Sequence, residues 1–481
     1  MREYAHCRPH WCYRSRVPAQ SIRFRRDTAG AAAPPLPSTA SVAGQLLTGH
    51  VVVLAASLVV NVVSARVLGP AGRGELALLL QLGYVLQIFG VAGSDRAYPA
   101  LAHPTPGLPA AARDLGRLVA PSLLALVGAC LLAGAALSVG GPVPPGYGPG
   151  LAALVLAGVL LVTLRTASVA AGTAGFYLRL NVASQLVLVA GTLTLMALEV
   201  ATPLTWLAVY AAATGAPALY GWLALRRRSP GPAGGPAPPG DADRARESRA
   251  PEEGPPAGQD SAAGHADRVR RARRLGWRVL PGTAATITML RADRLLLPWL
   301  GSYADLGRYV VVAALSELIL VPVQAYVDAH VPRWRAAQLA GALRPLRVLA
   351  LAAAYVVGCA ALLTVAGRTL LVPVFGPAYA ESVHLVAPLA AAAGLWALSR
   401  VATGLILATG RSRYVLLTEV PAMLVSIGCY LLLIPAHGAW GAALGSLAGY
   451  GLAGALGLAL CLRATGRRGG TGRAAPGAGA A

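Results

Sequence analysis

The sequence predicts an all-α polytopic membrane protein of about 12 transmembrane helices, in two six-helix lobes related by a parallel pseudo-twofold repeat. Three observations predict it. The chain of 481 residues is 56% hydrophobic and only 12% charged, with a positive mean hydropathy. Its apolar segments recur at the roughly 20-residue length that a bilayer core demands of a helix. A polar stretch rich in Pro, Gly and charge divides those segments six and six.

In chain order, residues 1–41 read as a disordered cytoplasmic tail. Cys7, His10 and Cys12 lie there, one short of the four ligands of a structural zinc site. The tail lacks the apolar core and cleavage site of a secretory signal, so the first span is expected to direct insertion. The N-lobe, 42–225, holds spans at 42–65, 76–98, 117–140, 150–173, 181–200 and 204–225. Residues 226–274 carry no apolar period and read as a disordered cytoplasmic linker. The C-lobe, 275–462, holds spans at 277–300, 305–330, 346–367, 383–408, 415–435 and 438–462, and 463–481 form a disordered cytoplasmic C-terminal tail.

The formal charge of +22 raises nucleic acid as a partner, and the distribution of Arg removes it. All 41 basic residues are Arg. With the N-terminus cytoplasmic, most of them fall in cytoplasmic segments, as the positive-inside rule requires. The outer loops keep Arg66, Arg73, Arg308 and Arg368. Arg96, Arg165, Arg291, Arg294 and Arg400 remain within spans. The net charge is therefore topology, in a multi-pass protein of the cytoplasmic membrane with both termini inside. The "RVRRARR" that ends the linker is suited to anionic membrane lipids or to flanking the seventh span.

The two halves share a pattern. "LRTASVAAGTAGFYLR" (164–179) can be laid on "SRVATGLILATGRSRY" (399–414), which puts Arg165 on Arg400 and Gly175 on Gly410. Each unit has an even number of spans, so the repeats run parallel, and transporters place substrate at such an interface.

The chain resembles the polysaccharide and O-antigen flippases of the multidrug/oligosaccharidyl-lipid/polysaccharide (MOP) exporter superfamily. The resemblance rests on "ARVLGPAGRGELALLL", "RADRLLLPWLGSYADLGRYVVVAALSEL", "FGPAYAESVHLVAPLA" and "LLLIPAHGAWGAALGSLAGY", in that order along the chain. It implies a two-lobed bundle that moves a polyprenyl-diphosphate-linked oligosaccharide across the membrane by alternating access. The implied partners are the lipid-linked glycan, membrane lipids, and a glycan polymerase or glycosyltransferases, with no cofactor. The linker is longer than the resemblance suggests, and the two further C-terminal spans usual in lipid II flippases are absent from this sequence. A cation-coupled multidrug antiporter or a lipid II flippase of the same superfamily is the alternative. A membrane-embedded glycosyl- or acyltransferase is a further one, but the loops between spans are short for such a site.

Charges at bilayer depth are expensive and face a cavity or each other. Arg291 and Arg294, three residues apart, share a helical face, while Asp293 points elsewhere. One reading has the Arg pair hold a substrate diphosphate through forked donors. The other has Asp293 pair with a neighbouring helix and both Arg snorkel to the interface. Arg165 and Arg400 are candidates for a second basic pair on opposite lobes. Asp293, Glu317 and Glu419 are the candidates for ion coupling or intramembrane pairing. Asp328 is a further acidic candidate, while Asp95 reads as interfacial and Glu199 as solvated. Pro217, Pro281, Pro322, Pro388 and Pro421 fall inside spans, where each removes a backbone donor. "GPAGRGE" lacks the Lys and Ser/Thr of a phosphate-binding loop and reads as a tight outer loop. No catalytic or metal motif accompanies it, so the expected protein is a transporter and not an enzyme.

Overall fold

The computed structural model describes residues 39–101, 107–140, 146–227, 262–411 and 413–466. Among them every regular element is helical. In chain order the helices are α1 (Thr39–Val91), α2 (Ser94–Leu101), α3 (Leu108–Gly140), α4 (Tyr147–Ala170), α5 (Ala174–Ala197) and α6 (Pro203–Arg227), followed by α7 (Ala262–Leu300), α8 (Tyr303–Ser316), α9 (Leu320–Leu339), α10 (Pro345–Phe375), α11 (Val386–Ala408) and α12 (Arg413–Gly466). A 3₁₀ turn, Glu317–Ile319, joins α8 to α9, and a longer one, Pro377–Leu385, joins α10 to α11.

Two of these helices are hairpins. In α1 the backbone leaves helical geometry at Gly69 (φ 64°), and in α12 at Gly438 (φ 53°). An Arg73 Nη2 to Asn61 Oδ1 bond of 2.8 Å spans twelve positions, and Tyr430 and Ser446 hydroxyls meet at 3.0 Å across sixteen. A straight helix rises about 1.5 Å per residue and would hold both pairs far apart, so each chain folds back at its glycine. Glycine suits that corner because a left-handed φ carries no Cβ clash. Pro70 then starts the second limb of α1, where its missing donor is harmless.

Among the described residues nine helices are long and apolar enough to cross a membrane. Counting both limbs of the two hairpins, and adding the charge-bearing α7, yields the twelve spans expected. Two expectations need revision. The eighth span is not continuous: α8 gives way to the 3₁₀ turn at Glu317 before α9 begins. The seventh helix starts at Ala262, so 262–274, assigned above to the linker, are helical, and the rest of the linker from 228 lies outside the described residues. The reason is a short apolar period. Val269, Ala272 and Gly276 turn inward while Arg270, Arg271, Arg273 and Arg274 are exposed, which is the amphipathic spacing of a packed helix. The N-terminal cysteines and the two tails beyond 39 and 466 also lie outside the described residues.

Packing forms two helical groups tied together by α1, α7 and α8. Leu115 and Val119 of α3, Val155 and Leu164 of α4, and Ala218 and Leu225 of α6 share one buried cluster. Val323 and Trp334 of α9, Leu349 and Val356 of α10, and Val401 and Leu405 of α11 share another. Ala65, Ala77 and Leu78 of α1 are buried with Leu306 and Tyr309 of α8, Phe375 of α10 and Tyr430 of α12. Helix α7 begins on the first group, through Ala272, and ends in that shared core, through Ala292 and Leu297.

Glycines permit the closest crossings. A Cβ on Gly74 would lie 1.8 Å from the carbonyl oxygen of Tyr303, and one on Gly307 would lie 1.8 Å from that of Pro70. The second limb of α1 and α8 therefore meet backbone to backbone. Arg66 reinforces the same end of the bundle by donating to the carbonyls of Val374 and Pro373, each at 2.7 Å.

Candidate functional site

A cavity of about 430 Å³ lies among α1, α4, α5, α6, α7 and the turn after α8. Its polar lining is Ser57, Asn61, Arg73, Gln81, Tyr84 and Gln87 from α1, Arg165 from α4, Ser184 and Gln185 from α5, Tyr210 and Thr214 from α6, Arg291 and Arg294 from α7, and Glu317. Four guanidinium groups thus face one carboxylate.

Each arginine reaches the cavity for a local reason. Arg73 stands in the first turn after the Gly69 corner, so its side chain runs back toward the first limb and is 7% exposed. It donates to Asn61, while its Nε and Nη1 have no partner among the described residues. A buried donor without an acceptor costs about 1–3 kcal/mol, more when charged, so this group favours an anion. Arg165, five residues before the end of α4, points into the same space, and its Nε is likewise without a partner among the described residues. Arg291 and Arg294 arrive together because three residues along a helix return to one face. Both meet Glu317: Arg294 Nη2 makes a close ion pair with Oε1, and Arg291 Nη1 lies 3.8 Å from the same oxygen.

Asp293 faces away from the cavity. Its Oδ2 accepts from the Tyr309 hydroxyl at 2.6 Å and its Oδ1 from the backbone amide of Arg294 at 2.8 Å. Tyr309 in turn meets Ser446 at 3.1 Å, so this carboxylate anchors α7 to α8 and α12. It is 3% exposed. The short spacing "RADR" therefore splits into a cavity face and a packing face.

Solved structures share this arrangement of helices. A multidrug resistance MATE family transporter of the MOP superfamily, in an inward-facing conformation, superposes with a TM-score of 0.60 at 12% identity, covering 85% of this chain and 94% of that one. A MATE in complex with MaD3S gives 0.57 at 13% identity, over 89% of this chain and 95% of that one. The eukaryotic MATE transporter AtDTX14 gives 0.52 at 14% identity, over 89% and 98%. The chain has the MATE fold. No family model and no curated protein matches the sequence.

Within this MATE fold, Arg400 and Glu419 form a second polar cluster. Arg400 Nη1 lies 3.4 Å from Glu419 Oε1, its Nε donates to Gln324 Oε1 at 3.3 Å, and its guanidinium lies 5.8 Å from the centroid of the Trp396 ring. Glu419 Oε2 accepts from Thr286 Oγ1 at 2.6 Å. These contacts join α11 to α9, α12 and α7. Arg400 is not among the residues that line the Arg-rich cavity.

The sequence repeat had paired Arg400 with Arg165. The turns that follow their helices carry left-handed glycines at Gly172 and Gly410. Measured from these glycines, Arg400 sits almost one helical turn deeper than Arg165. The structure thus brings Arg165, Arg291, Arg294 and Glu317 together and leaves Arg400, Glu419 and Asp293 in packing contacts. Glu199, expected to be solvated, is exposed, and Asp328 is exposed as well and accepts from Gln324.

Arg73 is the residue that sequence reasoning missed. It was assigned to an outer loop and is instead a buried cavity cation. The signal was present: with Pro70 as the first helical residue, Arg73, Gln81, Tyr84 and Gln87 recur at helical spacing as a polar stripe in an apolar limb. Gly158 of α4 makes room for Gln87, since a Cβ there would lie 2.1 Å from that side chain.

Proposed function

We propose that the protein is a MOP-type exporter. It carries an anionic lipid-linked substrate, a polyprenyl-diphosphate oligosaccharide, across the cytoplasmic membrane by alternating access of two six-helix lobes, with both termini cytoplasmic. The observation that carries this reading is the charge of the cavity: among the described residues that line it, Arg73, Arg165, Arg291 and Arg294 stand against Glu317 alone. A guanidinium is planar, always charged, and matches phosphate oxygens with paired donors. A volume of about 430 Å³ lies in the range of small-ligand sites and suits a headgroup, while the apolar chain would stay in the bilayer.

No nucleotide site is invoked, so the driving force would be an ion gradient, the membrane potential or the substrate gradient. Cations of the drug type are the second reading, favoured by the multidrug MATE transporters among the structural neighbours. A cavity with excess positive charge opposes them.

The deciding experiment compares transport by vesicles reconstituted with the full chain. Expected is flipping of a fluorescent polyprenyl-diphosphate glycan, reduced at least about tenfold in Arg165→Gln by loss of one charge-assisted contact, with no transport of a cationic dye. Dye transport without glycan flipping would establish the second reading in its place.

A further inference from the structure

We infer that Glu317 is a resident counter-anion: its carboxylate occupies Arg291 and Arg294 in the empty carrier, and an arriving anionic headgroup must displace it. The inference rests on the anion-carrying function proposed above and adds how access to two of the four arginines is controlled.

Three features carry it. The pair is close, through Arg294 Nη2 and Glu317 Oε1, with Arg291 Nη1 at 3.8 Å from the same oxygen. Its partners are unequally held. The Arg294 side chain is 8% exposed, whereas that of Glu317 is 42% exposed on the cavity side. The acid can therefore swing into the cavity while the base stays. Glu317 also opens the 3₁₀ turn between α8 and α9, a local break where short stretches of poorer hydrogen bonding mark hinges. Pro322, four residues after Leu318, cannot donate to that residue's carbonyl, which leaves the break less tightly bonded.

The chemistry supplies a direction. Glu317 brings one negative charge and one shared oxygen to two guanidiniums. A diphosphate brings more charge and several acceptor oxygens, and it also reaches Arg73 and Arg165, which have donors free. Arg294 Nε, also without a partner among the described residues, is a further donor that the carboxylate leaves unused. Binding is then an exchange of anions on the Arg pair. A monoanion, which gains less from that exchange, is discriminated against.

The test uses inorganic pyrophosphate and orthophosphate as probes of the purified full chain in nanodiscs, with binding read by calorimetry. Glu317→Gln should bind pyrophosphate about tenfold more tightly than the wild type, because the binding-competent state no longer has to displace a competitor. Glu317→Asp, which keeps the charge and shortens the reach, should fall between them and serves if the Gln variant does not fold. The gain should vanish when Arg294→Gln is present in both arms. Unchanged affinity in Glu317→Gln and Glu317→Asp, with Arg165→Gln still weakening binding, would overturn the counter-anion role and leave the anion-carrying function standing. Absence of pyrophosphate binding in wild type and Glu317→Gln alike would overturn both.

Discussion

Arg73 donates from Nη2 to Asn61 Oδ1 across 2.8 Å, and with that one bond a buried guanidinium ties together the two limbs of the α1 hairpin. The contact is both structural and electrostatic. Its acceptor is neutral, so the positive charge stays available to the cavity. Asn61→Asp would give Arg73 a permanent counter-charge. The expected outcome is a protein at least as stable as the wild type that binds pyrophosphate about tenfold more weakly, roughly one lost charge-assisted bond. Calorimetry together with thermal unfolding of the same samples checks it.

Arg165 and Arg400, alike in the sequence, should behave differently. Arg165→Gln should reduce glycan flipping with little change in stability, because its Nε has no partner among the described residues to lose. Arg400→Gln should act mainly on stability. It strips Glu419, 6% exposed, of its cation, and unpairing a buried charge costs about 3–5 kcal/mol. Thermal midpoints in nanodiscs, set beside flipping rates, separate the two. Equal stability losses would contradict the division of roles.

Asp293 is expected to hold α7 in place. Asp293→Leu leaves the Tyr309 hydroxyl without its 2.6 Å acceptor and should destabilise by about 1–3 kcal/mol. Asp293→Asn keeps an acceptor at that position and should lose less. Chemical denaturation of the two variants under one lipid composition provides the comparison.

The crossing of Gly74 and Gly307 leaves no space for a methyl group. Gly74→Ala would bring a Cβ within 1.8 Å of the Tyr303 carbonyl, and the crossing helices must separate. Overpacking of this kind costs about 1–3 kcal/mol, sometimes more. The nearby Ala77, 3% exposed, then becomes the reporter. A cysteine placed there should react with a thiol reagent faster in the Gly74→Ala background than in the wild type.

Much of the fold was legible because a bilayer imposes length and composition directly on each span. The segment 150–173 lies close to α4, and 204–225 lies within α6, since few apolar runs of the right length compete there. The glycine corners were harder to read. In "GPAGRGE" the turn consumes a single residue, so the apparent loop is helix on both sides and carries Arg73 inward. The start of α7 was missed because four exposed arginines mask a short inward row of Val269, Ala272 and Gly276.

The division of "RADR" into two faces was legible too, as three residues on a helix share a side and their neighbour does not. What each face meets was not. That Glu317 caps the Arg pair, that Arg165 joins them, and that Arg400 is drawn instead to Glu419 and Gln324 depend on distances between helices remote in sequence. By itself the sequence determined the class of fold, the length of most spans and the presence of intramembrane charge, because hydropathy and helical period act locally. Only the tertiary structure decided which charges are paired and which remain open to a cavity. Ion pairing depends on ångström separations and burial, and those exist only after the helices have packed.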